Sequence, residues 1–97
     1  MKRPLRKSKK FEREFGRFQK NFGVVVCQLR NKRHLSRPEL ARLAKFSKTT
    51  LEQIEHGKGN PSLRLMENLA AALHHRLSYI FKLTQDMDES KSTERRD

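Results

Sequence analysis

Four polar residues in a short stretch of this sequence carry hydrogen-bonding side chains at the spacing of one helix face. Residues 47–56 (S-K-T-T-L-E-Q-I-E-H) have the spacing of a short helix in which Leu51 and Ile54 point inward. The outward positions of that helix are Lys48, Thr49, Glu52 and Gln53. Lysine and glutamine can bond to purine edges, glutamate can accept from cytosine, and threonine can contact a thymine methyl or a phosphate. The pattern indicates a helix that enters the major groove, with an ordinary solvated helix face as the alternative.

A second short helix, at about 36–45, stands directly before this one and must hold it in place. Ser36 and Glu39 form the capping-box pattern, in which each side chain satisfies the other residue's amide. Pro38 fits the first helical turn, where an amide has no helical partner. The inward positions of this helix are Leu40, Ala41 and Ala44. Two helices separated by so few residues predict a tight helix-turn-helix unit.

The charge of the chain indicates a polyanionic partner. The 97 residues are 34% hydrophobic and carry a net charge of +12, which predicts one small domain with a basic surface. Residues 1–20 hold nine Lys and Arg against two Glu, and residues 21–84 hold eleven against four, so each part carries +7. Residues 85–97 hold three against five acidic residues, giving −2. Nucleic acid is the simplest partner for this distribution.

The N-terminal segment 1–20 reads as a basic arm followed by a phenylalanine-rich extension. Residues 1–10 have few apolar side chains to bury and are expected to be disordered. An amphipathic stripe follows at spacings of four, three and four; it comprises Phe11, Phe15, Phe18 and Phe22. A helix this short is marginal alone, so the stripe must pack on something. Its own domain and a second copy of the chain are both candidates.

The rest of the chain predicts an all-α, five-helix domain over 21–84. Besides the two helices above, apolar periodicity predicts helices at about 21–33, 62–73 and 77–83, with no strand pattern. The acidic, polar residues 85–97 are expected to form a disordered tail.

Several classes of protein are disfavoured by what the sequence lacks. The longest apolar run, at 22–27, is far shorter than the roughly 20 residues of a membrane helix. The single cysteine, Cys27, excludes an internal disulfide and suits a reducing cytoplasm. The histidines are too scattered for a metal site; they are His34, His56, His74 and His75. No phosphate loop or nucleophile–base arrangement is visible, so we expect neither an enzyme nor a cofactor.

Five sequence pieces within residues 22–81 resemble the Cro-like and phage-repressor-like helix-turn-helix family, often called the XRE family. In chain order they are F-G-x-x-V-x-x-L-R, L-S-x-x-E-L-A, S-x-x-T-L-x-x-I-E-x-G, N-P-S-L and L-x-x-I-F. The resemblance implies a compact lambda-repressor-like domain that binds double-stranded operator DNA, usually as a homodimer.

The same resemblance assigns roles to individual residues. It places base contacts at Lys48, Thr49, Glu52 and Gln53. It places phosphate contacts at Arg37, His56, Lys58 and Asn60. Arg37 stands where the family often has glutamine, and its guanidinium would add a charged fork beside the amides of a helix N-terminus. A structural ion pair is implied between Arg30, late in the first helix, and Glu55, at the end of the recognition helix.

Three residues depart from the family pattern at helix ends. His34, Lys45 and His74 stand where the family commonly has glycine. Such positions often need a positive φ, which a side chain resists at a cost of order 1 kcal/mol.

These features predict a sequence-specific regulator of transcription, most simply a repressor. Two other functions remain open at this point. The chain could be an antitoxin that binds a toxin and represses its own operon, with the Phe stripe or the 85–97 tail as the toxin-binding surface. It could also be an architectural or RNA-linked binder in which basic charge dominates over base recognition.

Overall fold

The computed structural model describes the backbone of residues 9–96 and the side chains of residues 9–88, and this part of the chain consists of five helices. They are α1 (Lys9–Lys32), α2 (Arg37–Ala44), α3 (Lys48–Glu55), α4 (Leu63–Ala72) and α5 (Leu77–Arg96). No strand occurs within these residues. The all-α, five-helix prediction is confirmed. None of the helices described is both long enough and apolar enough to cross a membrane.

Each helix contributes at least one large side chain to a common core. Fully buried examples, one from each of the five helices in chain order, are Val26, Leu40, Leu51, Leu69 and Ile80. The predicted inward positions of α2 and α3 are buried as well. Because this core joins residues from both ends of the chain, it is what holds the two central helices in a fixed orientation.

Helix α1 is a single helix, although the sequence predicted two. An amphipathic segment within 1–20 and a separate helix over 21–33 were expected, whereas the structure has 24 uninterrupted helical residues. One apolar stripe keeps its helical phase across the expected boundary; it comprises Phe18, Phe22, Val26 and Leu29. Burial of that stripe outweighs the roughly 1 kcal/mol that Gly16 costs in a helix interior.

The phenylalanine stripe packs partly on the chain's own domain. The ring of Phe18 lies 6.2 Å from that of Phe22 and 5.8 Å from that of Phe81 on α5, at aromatic contact distance. Phe15 and Phe11, one and two turns earlier, are 38% and 44% exposed. The predicted basic arm falls mostly on residues 1–8, outside the described residues, while Lys9 and Lys10 already belong to α1.

Helix α5 is longer than the sequence indicated. It was expected to end near residue 83, with disorder from residue 85, but its backbone is helical to Arg96. Two polar contacts support the extra turns. The Thr84 hydroxyl donates to the Ile80 carbonyl at 2.8 Å, and the Asn21 amide of α1 donates to the Asp88 carboxylate at 3.0 Å. Since α1 supplies the second contact, the polar composition of this segment alone could not reveal it.

The ends of the helices are formed largely as predicted. The capping box of α2 is present: the Glu39 amide donates to Ser36 Oγ at 3.1 Å, and the Ser36 amide donates to Glu39 Oε1 at 2.8 Å. The three residues that replace family glycines all have positive φ: 58° at His34, 65° at Lys45 and 65° at His74. These turns therefore keep the left-handed backbone geometry of the family, and each of the three side chains adds backbone strain.

The capping box makes the stability of α2 sensitive to acid. Hydrogen bonding from Ser36 to the Glu39 carboxylate lowers the pKa of Glu39 below its usual range, with the Ser36 backbone amide as the larger cause and the Ser36 hydroxyl as the smaller. A lowered folded pKa stabilises the protein above the ordinary carboxyl pKa, and this contribution is lost as the pH falls below about 4. We expect Glu39→Gln to reduce the stability lost on acidification from pH 5 to pH 3, measured by urea unfolding.

The control for this measurement is Glu67→Gln. Glu67 is exposed on α4, and its carboxylate has no hydrogen-bond or ion-pair partner among the described residues. This variant should keep the wild-type response to acid. If the wild type and Glu39→Gln lost the same stability between pH 5 and pH 3, the assigned role of the capping box would be contradicted.

Candidate nucleic-acid interface

Helix α3 is held at its C-terminal end by a close backbone contact with α1. A Cβ atom built on Gly23 would lie 2.3 Å from the Ile54 carbonyl oxygen and 2.9 Å from that of Glu55. Only glycine permits this approach. Helix α2 also packs against α3. Ser47 caps the first turn of α3 by accepting from the Thr50 amide at 3.1 Å. The helix is thereby positioned by two neighbours and by its own cap.

The outward face of α3 carries the four predicted base-contacting side chains together. Lys48, Thr49 and Gln53 are exposed and Glu52 is partly buried. The Lys48 ammonium lies 3.4 Å from the Glu52 carboxylate, one helical turn away. Half of this face is thus a compensated ion pair, and Gln53 and Thr49 remain neutral hydrogen-bonding groups. Such a face can accept and donate to base edges without a large excess of charge.

A buried carboxylate joins three elements at the base of α3. Arg30 of α1 donates to Glu55 through Nε at 2.7 Å and through Nη2 at 3.1 Å, and it donates to the Leu35 carbonyl through Nη1 at 2.8 Å. The side chains of Arg30 and Glu55 are only 9% and 1% exposed. The hydrogen bonds that Arg30 donates to the Glu55 carboxylate raise the pKa of Arg30 above its ordinary value. This is the pair that the family resemblance implied, and Arg30 thereby ties α1 to the end of α3 and to Leu35, two residues before α2.

Arg37 makes a contact that the sequence did not predict. Its Nε donates to Glu55 Oε1 at 2.8 Å, so the single Glu55 carboxylate serves two guanidinium groups. The side chain of Arg37 is 38% exposed, compared with 9% for Arg30. The cluster therefore keeps one uncompensated positive charge at the N-terminus of α2, where phosphate binding is favourable. Nothing in the local sequence around Arg37 signals a partner 18 residues away.

The loop after α3 presents the other predicted phosphate contacts. His56, Lys58 and Asn60 are all exposed. The loop turns through Gly57 and Gly59, which have φ values of 77° and 84°. Such values suit glycine. The loop and the predicted base-contacting face are adjacent, because a Cβ on Gly59 would lie 3.8 Å from Gln53.

Gln19 is a residue that sequence reasoning missed. Its side-chain amide, on the N-terminal half of α1, donates to the Gly59 carbonyl. The backbone of Lys20, the next residue, lies against Gly57. The N-terminal half of α1 thus braces the loop that follows α3. No pattern around Gln19 could have shown this, because the contact spans 40 residues.

Side chains that could ligate a metal are scattered through the described part of the chain. No group of three or more His, Cys, Asp or Glu side chains comes together there in a way that could hold a metal ion. Of the four histidines, His34 and His74 instead occupy strained helix ends.

Comparison with known proteins agrees with this geometry. A family model described as a helix-turn-helix domain matches residues 21–75. Because that is more than half of the chain, the protein belongs to this helix-turn-helix family. The predicted resemblance to Cro-like and phage-repressor-like proteins is confirmed at this level. A search of curated proteins found no significant match.

Two solved structures share the fold. The clp gene regulator ClgR from Corynebacterium glutamicum is 17% identical, with a TM-score of 0.74 over 80% of this chain and 83% of that one. The restriction-modification controller protein C.AhdI from Aeromonas hydrophila is 29% identical, with a TM-score of 0.63 over 64% of this chain and 94% of that one.

Proposed function

We propose that this protein is a cytoplasmic transcriptional regulator that binds specific double-stranded DNA by inserting α3 into the major groove. The observation that carries the proposal is the outward face of α3, on which Lys48, Thr49, Glu52 and Gln53 stand together on a helix held at its cap, along its side and at its end. The net charge of +12 supports the same partner. The regulator and controller roles printed for ClgR and C.AhdI are consistent with it.

Phosphate contacts would flank the inserted helix on both sides. The uncompensated charge of the Arg30–Glu55–Arg37 cluster lies at the start of α2, and the loop residues His56, Lys58 and Asn60 lie after α3. Contacts of this kind set the register of the helix without reading sequence. We further propose that the protein acts as a repressor and as a homodimer, whose two α3 helices would enter successive major grooves about 34 Å apart.

Base recognition predicts that two substitutions on α3 weaken specific binding selectively. We expect Lys48→Ala and Gln53→Ala each to reduce the affinity for a preferred sequence by about 1–3 kcal/mol, because each removes a donor that can bond to a purine edge. Binding to random duplex DNA should change little. The measurement is a titration of each variant with the best duplex selected from a random pool and with random DNA of equal length.

Matched controls lie on α5. Lys82 pairs with Asp86 at 3.4 Å with the same spacing and distance as Lys48 and Glu52, and Gln85 is an exposed glutamine. Lys82→Ala and Gln85→Ala should leave the preference for the selected sequence intact. Equal losses on selected and random DNA for the α3 variants would exclude base reading by this face.

A further inference from the structure

One side of α1 continues past the recognition helix toward the N-terminus and carries several basic residues there. Residues at spacings of three and four share one side of a helix. Such a series runs through α1 from its first turn to its last, and its members are Lys9, Arg13, Gly16, Lys20, Gly23, Cys27 and Arg30. Along most of the helix, this is the side opposite to the phenylalanine stripe.

The C-terminal part of this side faces the end of α3. Arg30 bonds to Glu55, Gly23 lies against the last carbonyls of α3, and the backbone of Lys20 lies against Gly57. The N-terminal part keeps the same direction, because the helix is continuous. It therefore extends beyond the loop after α3 on the same side of the molecule as the predicted phosphate contacts.

The exposed residues on that extension and directly beside it are mainly cations, with Glu12 three residues after Lys9 as an acidic member. We define the basic side of α1 as Lys9, Lys10, Arg13, Arg17 and Lys20, all of which are exposed. None of the five forms an ion pair with a carboxylate of residues 9–88, the residues whose side chains the structure describes. Residues 9–20 contain five Lys and Arg against Glu12 and Glu14, which leaves a net charge of +3.

Two pairs of these cations are spaced unfavourably for the helix that carries them, although Glu14 lies four residues after Lys10 and three before Arg17. Lys9 and Arg13 are four residues apart, and so are Arg13 and Arg17. Like charges at this spacing destabilise a helix by a few tenths of a kcal/mol per pair. A polyanion along this side would remove the repulsion and would release counterions from its own phosphates.

We propose that the basic side of α1 binds the phosphate backbone of the DNA that flanks the groove occupied by α3. This inference rests on the proposed function and adds a second, sequence-independent surface to it. The N-terminal half of α1 would then have two roles in binding. Through Gln19 and Lys20 it braces the loop after α3, and through its cations it lengthens the contact along the duplex.

The test compares the salt dependence of DNA binding in the 97-residue chain. Arg13→Gln/Arg17→Gln removes two charges and retains helix-forming residues. We expect the slope of log affinity against log salt to fall by about 2 per protomer. Between 50 and 200 mM salt the wild type should then lose roughly tenfold more affinity, per protomer, than the variant. The same decrease should be seen on random duplex DNA, because phosphate contacts do not read sequence.

The matched control removes the same number of charges elsewhere. Arg76 directly precedes α5 and Lys82 lies on it, and both are exposed. Arg76→Gln/Lys82→Gln should keep the wild-type slope. A second expected result is that shortening the DNA on either side of the selected sequence weakens the wild type more than Arg13→Gln/Arg17→Gln, which keeps three of the five cations.

Each outcome separates this inference from the proposed function. A wild-type slope in Arg13→Gln/Arg17→Gln, while Lys48→Ala still loses selectivity, would overturn only the role of α1. Equal decreases in slope for both double variants would also overturn it, because general net charge would then explain the effect. A wild type that binds no duplex DNA would overturn both.

Discussion

Replacing Glu55 with glutamine is expected to lower the free energy of unfolding by about 3–5 kcal/mol. The Glu55 side chain is 1% exposed and bonds to two guanidinium groups, one of which, Arg30, is itself buried. Glutamine preserves the shape of the side chain but leaves the Arg30 charge buried without a counter-charge. Removing one partner of a buried ion pair is strongly destabilising because the other charge stays buried and unpaired. Replacing both partners by apolar residues often costs little. For a domain of this size the loss is a large part of the total stability.

Arg37→Gln is the control for Glu55→Gln. It removes the more exposed of the two guanidinium groups, at 38%, and leaves the buried pair with Arg30 intact. A loss under about 1 kcal/mol is therefore expected. Urea unfolding followed by helical circular dichroism measures both variants. If Glu55→Gln costs no more than Arg37→Gln, the buried cluster does not hold α1, α2 and α3 together.

Replacing Gly23 with alanine is expected to cost about 3 kcal/mol, although alanine is the better helix former. The added Cβ would lie 2.3 Å from the Ile54 carbonyl oxygen, and backbone atoms cannot rotate away as a flexible side chain can. Helix α1 must therefore move away from the end of α3. Overpacking of this kind typically costs about 1–3 kcal/mol, and a backbone clash belongs at the upper end of that range. The shift also displaces the Arg30–Glu55 pair, so specific DNA binding should weaken in the same variant.

Gly16→Ala, in the same helix, should change the free energy of unfolding in the opposite direction. No atom lies within 4 Å of a Cβ built on Gly16, so the substitution meets no obstacle. The intrinsic preference of a helix for alanine should then stabilise the protein by about 0.5–1 kcal/mol. Thermal unfolding of the two variants measures a difference of about 4 kcal/mol between chemically identical changes. If both substitutions stabilised the protein, the contact between Gly23 and α3 would not be close.

The sequence was most informative where a signal and its structural effect lie within a few residues. The capping box of Ser36 and Glu39 is visible as a spacing of three and is formed by a local hydrogen-bonded turn. The inward positions of α2 and α3 follow from helical periodicity for the same reason. Positive φ values at Lys45 and His74 were expected because the turn geometry needs them, whichever residue occupies the position.

The extent of the first and last helices was not visible in this way. Composition favoured an N-terminal segment separate from the domain and a tail that is disordered from residue 85. In the structure, the ring of Phe18 packs against Phe81, and Asn21 donates to Asp88, so the two terminal segments support each other across more than 60 residues. Helix propensity within each segment carries no information about such a partner.

The sequence by itself determined the helical class, the order of the elements, the side chains displayed on α3 and the basic charge, because these depend on residue type and near-neighbour spacing. Only the tertiary structure decided that Arg37 shares Glu55 with Arg30, that Gln19 braces the loop at Gly59 and that Gly23 lies against the carbonyls of α3. Those contacts join residues 18 to 40 positions apart, and their geometry exists only after the core has brought the helices together.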